Sequence, residues 1–238
     1  MSVFDVYGVL SFDVYGTLID FERGILGALK PVLKSHGVQL SDEQILEVFG
    51  ESEAEIQEGK FMPYSDILRN VVREFGKRFD FTPSSSELDC LVSSVGTWMP
   101  LPHVVESLQT LKKKYRLAII SNIDDDLFSV TAKHLGVNFD WVITSEQAQS
   151  YKPSLHTFKF ALEKMGVSRE KILHISNSMY HDIVPARALN LSTVWVNGRS
   201  YMAGFGVTPP VRGCPDFEVP DLQALVSLMG LEAIEKRI

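Results

Sequence analysis

Between residues 25 and 95 apolar side chains recur three and four positions apart, whereas beyond residue 104 that spacing alternates with short unbroken apolar runs. The first pattern is helical. Ile25, Leu26, Leu29, Val32 and Leu33 share one helix face, and Gly37 reads as its stop. Ser41-Asp42-Glu43-Gln44 is a capping-box signature ahead of Ile45, Val48 and Phe49. Tyr64, Ile67, Leu68, Val71, Val72 and Phe75 predict a third helix, and residues 88–95 a last one.

The second pattern predicts strands at 117–120, 141–143, 172–175 and 193–196, each preceded or followed by an amphipathic helix, at 104–115, 127–135, 155–165 and 183–189. Unbroken apolar runs are what strands covered on both faces require, and repeated β-α-β implies a parallel sheet between helix layers. A further mostly apolar run, residues 9–12, stands ahead of Asp13. Residues 200–220, rich in Gly and Pro, read as loop, and Asp221 as the cap of a final helix over 222–228. The expected fold class is α/β: a Rossmann-like parallel-sheet core from residues 1–20 and 97–238, with a helical domain inserted at 21–96.

Composition narrows the setting. The 238 residues are 45% hydrophobic and 22% charged, an ordinary globular balance, and the net charge of −7 argues against nucleic acid or an anionic membrane as partner. Two cysteines, Cys90 and Cys214, fit free thiols in a reducing cytoplasm better than a disulfide framework. No secretory leader or membrane-spanning run is expected, and the expected location is cytoplasmic.

The candidate chemistry sits where the sheet pattern puts ligands, outside the carboxyl ends of the strands. Asp13, the Ser121-Asn122 pair, Lys152, and Asn177 with nearby Asp182 stand at four such exits. A short repeat complicates the first: Phe4-Asp5-Val6-Tyr7-Gly8 recurs as Phe12-Asp13-Val14-Tyr15-Gly16. Asp13 is preferred over Asp5 because only Asp13 has a strand's length of chain ahead of it and Thr17-Leu18 behind. Each residue has a plainer alternative. Ser121, Asn122 and Asn177 are also turn formers, and Asp182 could cap the helix at 183–189. Asp124-Asp125-Asp126 reads as capping and solvated charge, not as a metal cluster.

Phe12-Asp13-Val14-Tyr15-Gly16-Thr17-Leu18, Ser121-Asn122, Tyr151-Lys152-Pro153 and the run from His174 to Asp182 resemble the ordered motifs of the haloacid dehalogenase superfamily. The resemblance covers nearly the whole chain and implies a Rossmann-like core with a helical cap. Within that superfamily, phosphatases carry a second aspartate two positions after the nucleophile, as proton donor to an alkoxide, and bind Mg²⁺. Here that position is Tyr15, and the acidic residue that usually opens the fourth motif is Asn177. The Asp-Val-Tyr-Gly-Thr-Leu form is similar to the (S)-2-haloacid dehalogenases, which work without metal or other cofactor.

The resemblance therefore implies attack by Asp13 on the halogen-bearing carbon of a short 2-haloacid, an ester on Asp13, and its hydrolysis. It implies that Lys152 keeps Asp13 ionised, that Asp182 pairs with Lys152 and helps activate water, and that Thr17 orients Asp13. Ser121 and the main-chain amides near Val14 and Tyr15 would hold the substrate carboxylate, with Asn122 as halide donor and Asn177 among the substrate- or halide-binding residues. The halide-side arginine of the family has its nearest counterpart in Arg23, since residues 24–68 contain none. A homodimer is a family expectation. The alternatives are a phosphatase with an altered acid residue and a non-catalytic binding descendant.

Overall fold

The computed structural model describes residues 2–198, 207–208 and 210–231. Six strands form one parallel sheet: β1 (Val9–Phe12), β2 (Arg116–Ser121), β3 (Trp141–Thr144), β4 (Ile172–Ser176), β5 (Ser192–Val196) and β6 (Phe217–Val219), in the order β3-β2-β1-β4-β5-β6. The order reverses at β1, whose neighbours are β2 and β4, so the end of β1 is the switch point where open α/β sheets bind ligands. Asp13 is the first residue past that end.

Between β1 and β2 the chain runs through α1 (Phe21–Ser35), α2 (Asp42–Gln57), α3 (Tyr64–Arg78), α4 (Ser85–Leu88) and α5 (Cys90–Ser94), then α6 (Val104–Lys112). The first five make the helical cap. The signals for α1 and α2 act as read: Gly37 adopts φ +71° beyond α1, and Ser41 and Gln44 exchange capping hydrogen bonds at α2. The predicted last cap helix is instead two short helices, α4 and α5, and a 3₁₀ turn at Val95–Thr97. Asp89, the residue between them, pairs with Arg69 on α3.

After β2 come α7 (Asp125–Leu135), α8 (Ser145–Ala148), α9 (Leu155–Met165), α10 (Val184–Ala188) and, after β6, α11 (Leu222–Leu228). Phe158, Ala161 and Met165 of α9 and Ala186 of α10 cover one face of the sheet, with Val9, Ala118, Ile120 and Ile172. α6, α7 and α11 cover the other, where Leu10, Phe12, Leu117 and Ile119 continue into the apolar interior of the cap.

Two details differ from the sequence reading. The helix expected at 183–189 is shorter and is entered through a π turn, Met179–Ile183. Phe217–Val219, within the stretch expected to be loop, is an edge strand in which Val219 alone is buried, too short and too exposed to give a periodic signal. Of the rest of that stretch, residues 200–206 and 209 lie outside the described residues. No helix among the described residues is long and apolar enough to cross a membrane.

Candidate active site

Strand periodicity explains how the site begins. Residues two apart share a face, so Ser11 and Asp13 look the same way from β1, as do His174 and Ser176 from β4, and the register sets Ser11 beside His174. Asp13 continues the ladder by one bond, its amide donating to the Ile175 carbonyl at 3.1 Å. The chain then turns sharply. Gly16, at φ +89°, lies where an added Cβ would meet Asn177 Nδ2 at 2.7 Å, so the position admits no larger residue without displacing Asn177. The turn returns Thr17 to its own nucleophile loop.

Thr17 Oγ1 lies 2.9 Å from Asp13 Oδ2 and 3.0 Å from Asn177 Oδ1, and accepts from the Asn177 amide at 2.9 Å. With one hydroxyl proton to give, the ionised carboxylate is the stronger acceptor. Lys152 Nζ, 1% exposed, donates to Asp13 Oδ1 at 2.9 Å, to Asp182 Oδ1 at 2.7 Å and to the Ile120 carbonyl at 2.8 Å. All three ammonium protons are thereby used. Lys152 cannot also grip a substrate anion; it fixes the nucleophile.

The network continues to a residue that the sequence reading left out. His174 Nε2 is 2.9 Å from Asp182 Oδ1, and its Nδ1 is 2.9 Å from Ser11 Oγ, while Ser176 Oγ donates to Asp182 Oδ2 at 3.0 Å. Burial works against ionising Asp182, but Lys152 and His174 outweigh it and hold the carboxyl well below its usual range. So saturated and acidic a group is a weak base toward water. It pairs with Lys152 as expected. Its contribution to the site is charge and position.

For Asp13 the balance runs the other way. Burial pushes its carboxyl up, Lys152 pulls it down, the Asp182 charge pushes it up again, and the net direction is upward. Lys152 limits that rise instead of depressing the carboxyl outright.

A cavity of about 50 Å³ opens over Asp13, with room for a handful of heavy atoms. Ser121, Asn122, Tyr15, Asn177 and Lys152 line it, so the structure brings those expected residues together. Ser121 Oγ is buried and has no hydrogen-bond partner among the described residues. Leaving a buried hydroxyl unpaired costs about 1–3 kcal/mol, which a bound anion would relieve. The Val14 and Tyr15 amides likewise donate to no group among the described residues. Asn122 makes two bonds to residue 152: its Nδ2 donates one of its two protons to the Lys152 carbonyl at 3.0 Å and its Oδ1 accepts from the Lys152 amide at 2.8 Å. It holds the lysine loop. The Tyr15 hydroxyl lies 2.9 Å from Thr131 Oγ1, which itself donates to the Leu127 carbonyl, so the phenol proton points into α7. Burial keeps that phenol neutral.

Arg23 is not brought to the site. It is exposed on the first turn of α1, and the cavity is lined without it. In its stead α2 contributes Glu53 and α3 contributes Tyr64, both buried at the cavity wall and joined by a 2.5 Å hydrogen bond from the Tyr64 hydroxyl to Glu53 Oε1. Glu53 was not legible as a site residue, because it reads as the polar face of an amphipathic helix.

The motifs and the fold agree with the comparisons to known proteins. The family model of haloacid dehalogenase-like hydrolases matches residues 4–190, and the chain belongs to that family. It is an enzyme class of hydrolases, and named (S)-2-haloacid dehalogenases stand among the relatives. The chain is 26% identical over 231 residues to the (S)-2-haloacid dehalogenase of Pseudomonas sp. (strain YL), covering 94% of this chain and 95% of that one. It is also 24% identical over 230 residues to a pyrophosphatase of Oceanobacillus iheyensis, covering 92% and 95%. The L-2-haloacid dehalogenase of Xanthobacter autotrophicus superposes with a TM-score of 0.77 at 21% identity, covering 94% and 98% of the two chains, which shows a shared fold.

The phosphatases of the family imply a divalent cation. The donor set here does not fit one: Asp13 and Asp182 both turn an oxygen onto the Lys152 ammonium, and the neighbouring side chain is the neutral Asn177.

Proposed function

We propose that the chain hydrolyses the carbon–halogen bond of short 2-haloalkanoic acids, without metal, through an ester on Asp13. The observation that carries this reading is Tyr15, standing where a leaving-group acid would be needed for an alkoxide, with its proton committed to Thr131. A halide leaves without a proton. An Asp13 oxygen attacks the halogen-bearing carbon; the carbon–oxygen bond forms as the carbon–halogen bond breaks, and the halide departs with the electron pair. Thr17 and Lys152 hold both carboxylate oxygens in place for this attack. The unpartnered Ser121 hydroxyl and the Val14 and Tyr15 amides are suited to the substrate carboxylate.

Water then attacks Cγ of the ester, and the Cγ–O bond to the substrate breaks. One water proton goes to the departing 2-hydroxyacid, the other to solvent, and Asp13 is regenerated with an oxygen from water. Lys152 offsets negative charge on the tetrahedral intermediate. The similarity to (S)-2-haloacid dehalogenases supports this class of substrate; the similarity to a pyrophosphatase names the competitor. The test is halide release from (S)-2-chloropropionate, chloroacetate and fluoroacetate with EDTA present, beside phosphate release from phosphomonoesters with Mg²⁺. Halide release insensitive to EDTA is expected. Phosphate release alone would overturn the reading.

A further inference from the structure

The wall of the cavity over Asp13 holds a second carboxyl group that the reaction as described leaves unused. Glu53, on α2, is 6% exposed and lines the same cavity as Asp13. Its Oε1 is taken by Tyr64, and Oε2 has no partner among the described residues. Two carboxylates around so small a space would repel each other and any anionic substrate. A neutral carboxylic acid does neither, and it brings a proton that a carboxylate lacks. We infer that Glu53, in its protonated form, is the hydrogen-bond donor that receives the departing halide. This assignment rests on the dehalogenation reading and supplies the halide contact that Arg23 does not.

The surroundings favour the protonated form. Burial pushes the Glu53 carboxyl up to about 7, against the Tyr64 hydrogen bond and with the help of the Asp13 charge. The titratable groups facing it are Asp13, Lys152 and Asp182 from the core, Tyr15 and His181 at the cavity wall, Tyr64 from α3, and Tyr151 beside Lys152, whose phenol burial keeps neutral. Lys152 and Asp182 are committed to each other and to Asp13, and burial pushes His181 down to about 4, so it is neutral at pH 7. Elsewhere on the cap, Lys30 pairs with Asp42 and Arg78 with Glu51, and none of these four lines the cavity.

In this step no proton need transfer: the carbon–halogen bond breaks heterolytically and the halide accepts a hydrogen bond from Glu53 Oε2.

The experiment is calorimetric titration of the resting protein with fluoride and chloride from pH 5.5 to 8.5, for the natural chain, Glu53→Gln and Asp13→Asn. If only the protonated form binds, affinity falls about tenfold per pH unit above about 7. The amide of Glu53→Gln keeps a donor and loses the titration, so its affinity should stay flat; Asp13→Asn should keep the slope. Proton uptake in buffers of differing ionisation enthalpy reads the same linkage in the natural chain, even if Glu53→Gln does not fold. Halide binding that is absent at pH 6, or independent of pH in the natural chain, overturns the assignment. Proton-linked halide binding without halide release from haloacids would support Glu53 and overturn the proposed reaction instead.

Discussion

The carboxylate of Asp124 accepts the backbone amide of Tyr64 at 2.6 Å, and that of Ser65 at 2.8 Å, so the loop after β2 caps the N-terminus of a helix in the cap. The residue at the cap position of α3 is Pro63, which makes no side-chain cap bond. A core aspartate fills the role, adding negative charge at the positive end of the helix. The same Tyr64 carries the hydroxyl that binds Glu53, so Asp124 fixes one wall of the cavity from below. Tyr151, beside Lys152, adds a second tie by donating to the Met62 carbonyl at 2.8 Å.

Asp124→Ala should therefore act on both stability and turnover. Loss of a helix cap costs about 1–2 kcal/mol, read as a lower urea midpoint. With Tyr64 less firmly placed, KM should rise, while Asp125→Ala, one residue on, should leave it unchanged. Equal effects of the two substitutions on KM would sever the link between Asp124 and the site.

Lys152→Met should abolish turnover and destabilise the fold. The substitution leaves Asp13 and Asp182 buried side by side with no cation between them, and removing one partner of a buried ion pair costs about 3–5 kcal/mol. The two carboxyls would then take up protons more readily than in the natural chain. Acidification from pH 7 to 5 should lessen the deficit between Lys152→Met and the natural chain in denaturant unfolding. A deficit that grows on acidification would mean that the pair is not what the lysine supports.

The ester on Asp13 has an isotopic signature. One turnover in ¹⁸O water, with protein in excess, should place the label in the Asp13 peptide and leave the product's new hydroxyl unlabelled, since that oxygen comes from the carboxylate. Asp13→Asn should lower turnover by at least about a thousandfold, the scale on which loss of a nucleophile acts. Label in the first product hydroxyl would instead require direct attack by water.

How much of this was legible follows from which interactions are local. The apolar runs at 117–120 and 172–175 and the capping box at Ser41 are patterns within a few residues, and they appear as strands and a helix start. The copy of the nucleophile motif at Asp5 also resolved as read: Asp5 lies in a surface 3₁₀ turn, paired with Lys114. What stayed hidden is chemistry made by pairing across the chain. His174 looks like any strand residue until the register sets it beside Ser11, 163 positions away. Glu53 and Asp124 are ordinary helix and loop acids until the cap closes over the sheet. Arg23 failed for the complementary reason: nearness in sequence to the cap placed it on an outward face of α1.

The acid limb of the pH–rate profile should belong to Asp13 and should respond to Asp182 in a definite direction. Asp13 must be ionised to attack, and burial moves its carboxyl upward, so activity should fall as pH drops through a value above the ordinary aspartate pKa of about 3.9. Asp182 is held low and stays ionised across that window, contributing no limb of its own. Its charge does contribute to the rise of Asp13. Asp182→Asn removes that charge and leaves the Lys152 ammonium to Asp13 alone, so the residual activity should show its acid limb at lower pH. The same substitution should flatten acid unfolding. A carboxyl held low in the folded state stabilises it above the unfolded pKa, and that contribution disappears as pH falls toward the folded value. Both shifts can be measured on one variant, by pH–rate profile and by denaturant unfolding between pH 2 and 7. An acid limb that stays in place or moves upward would mean that the two carboxylates are not coupled through Lys152 as their geometry implies.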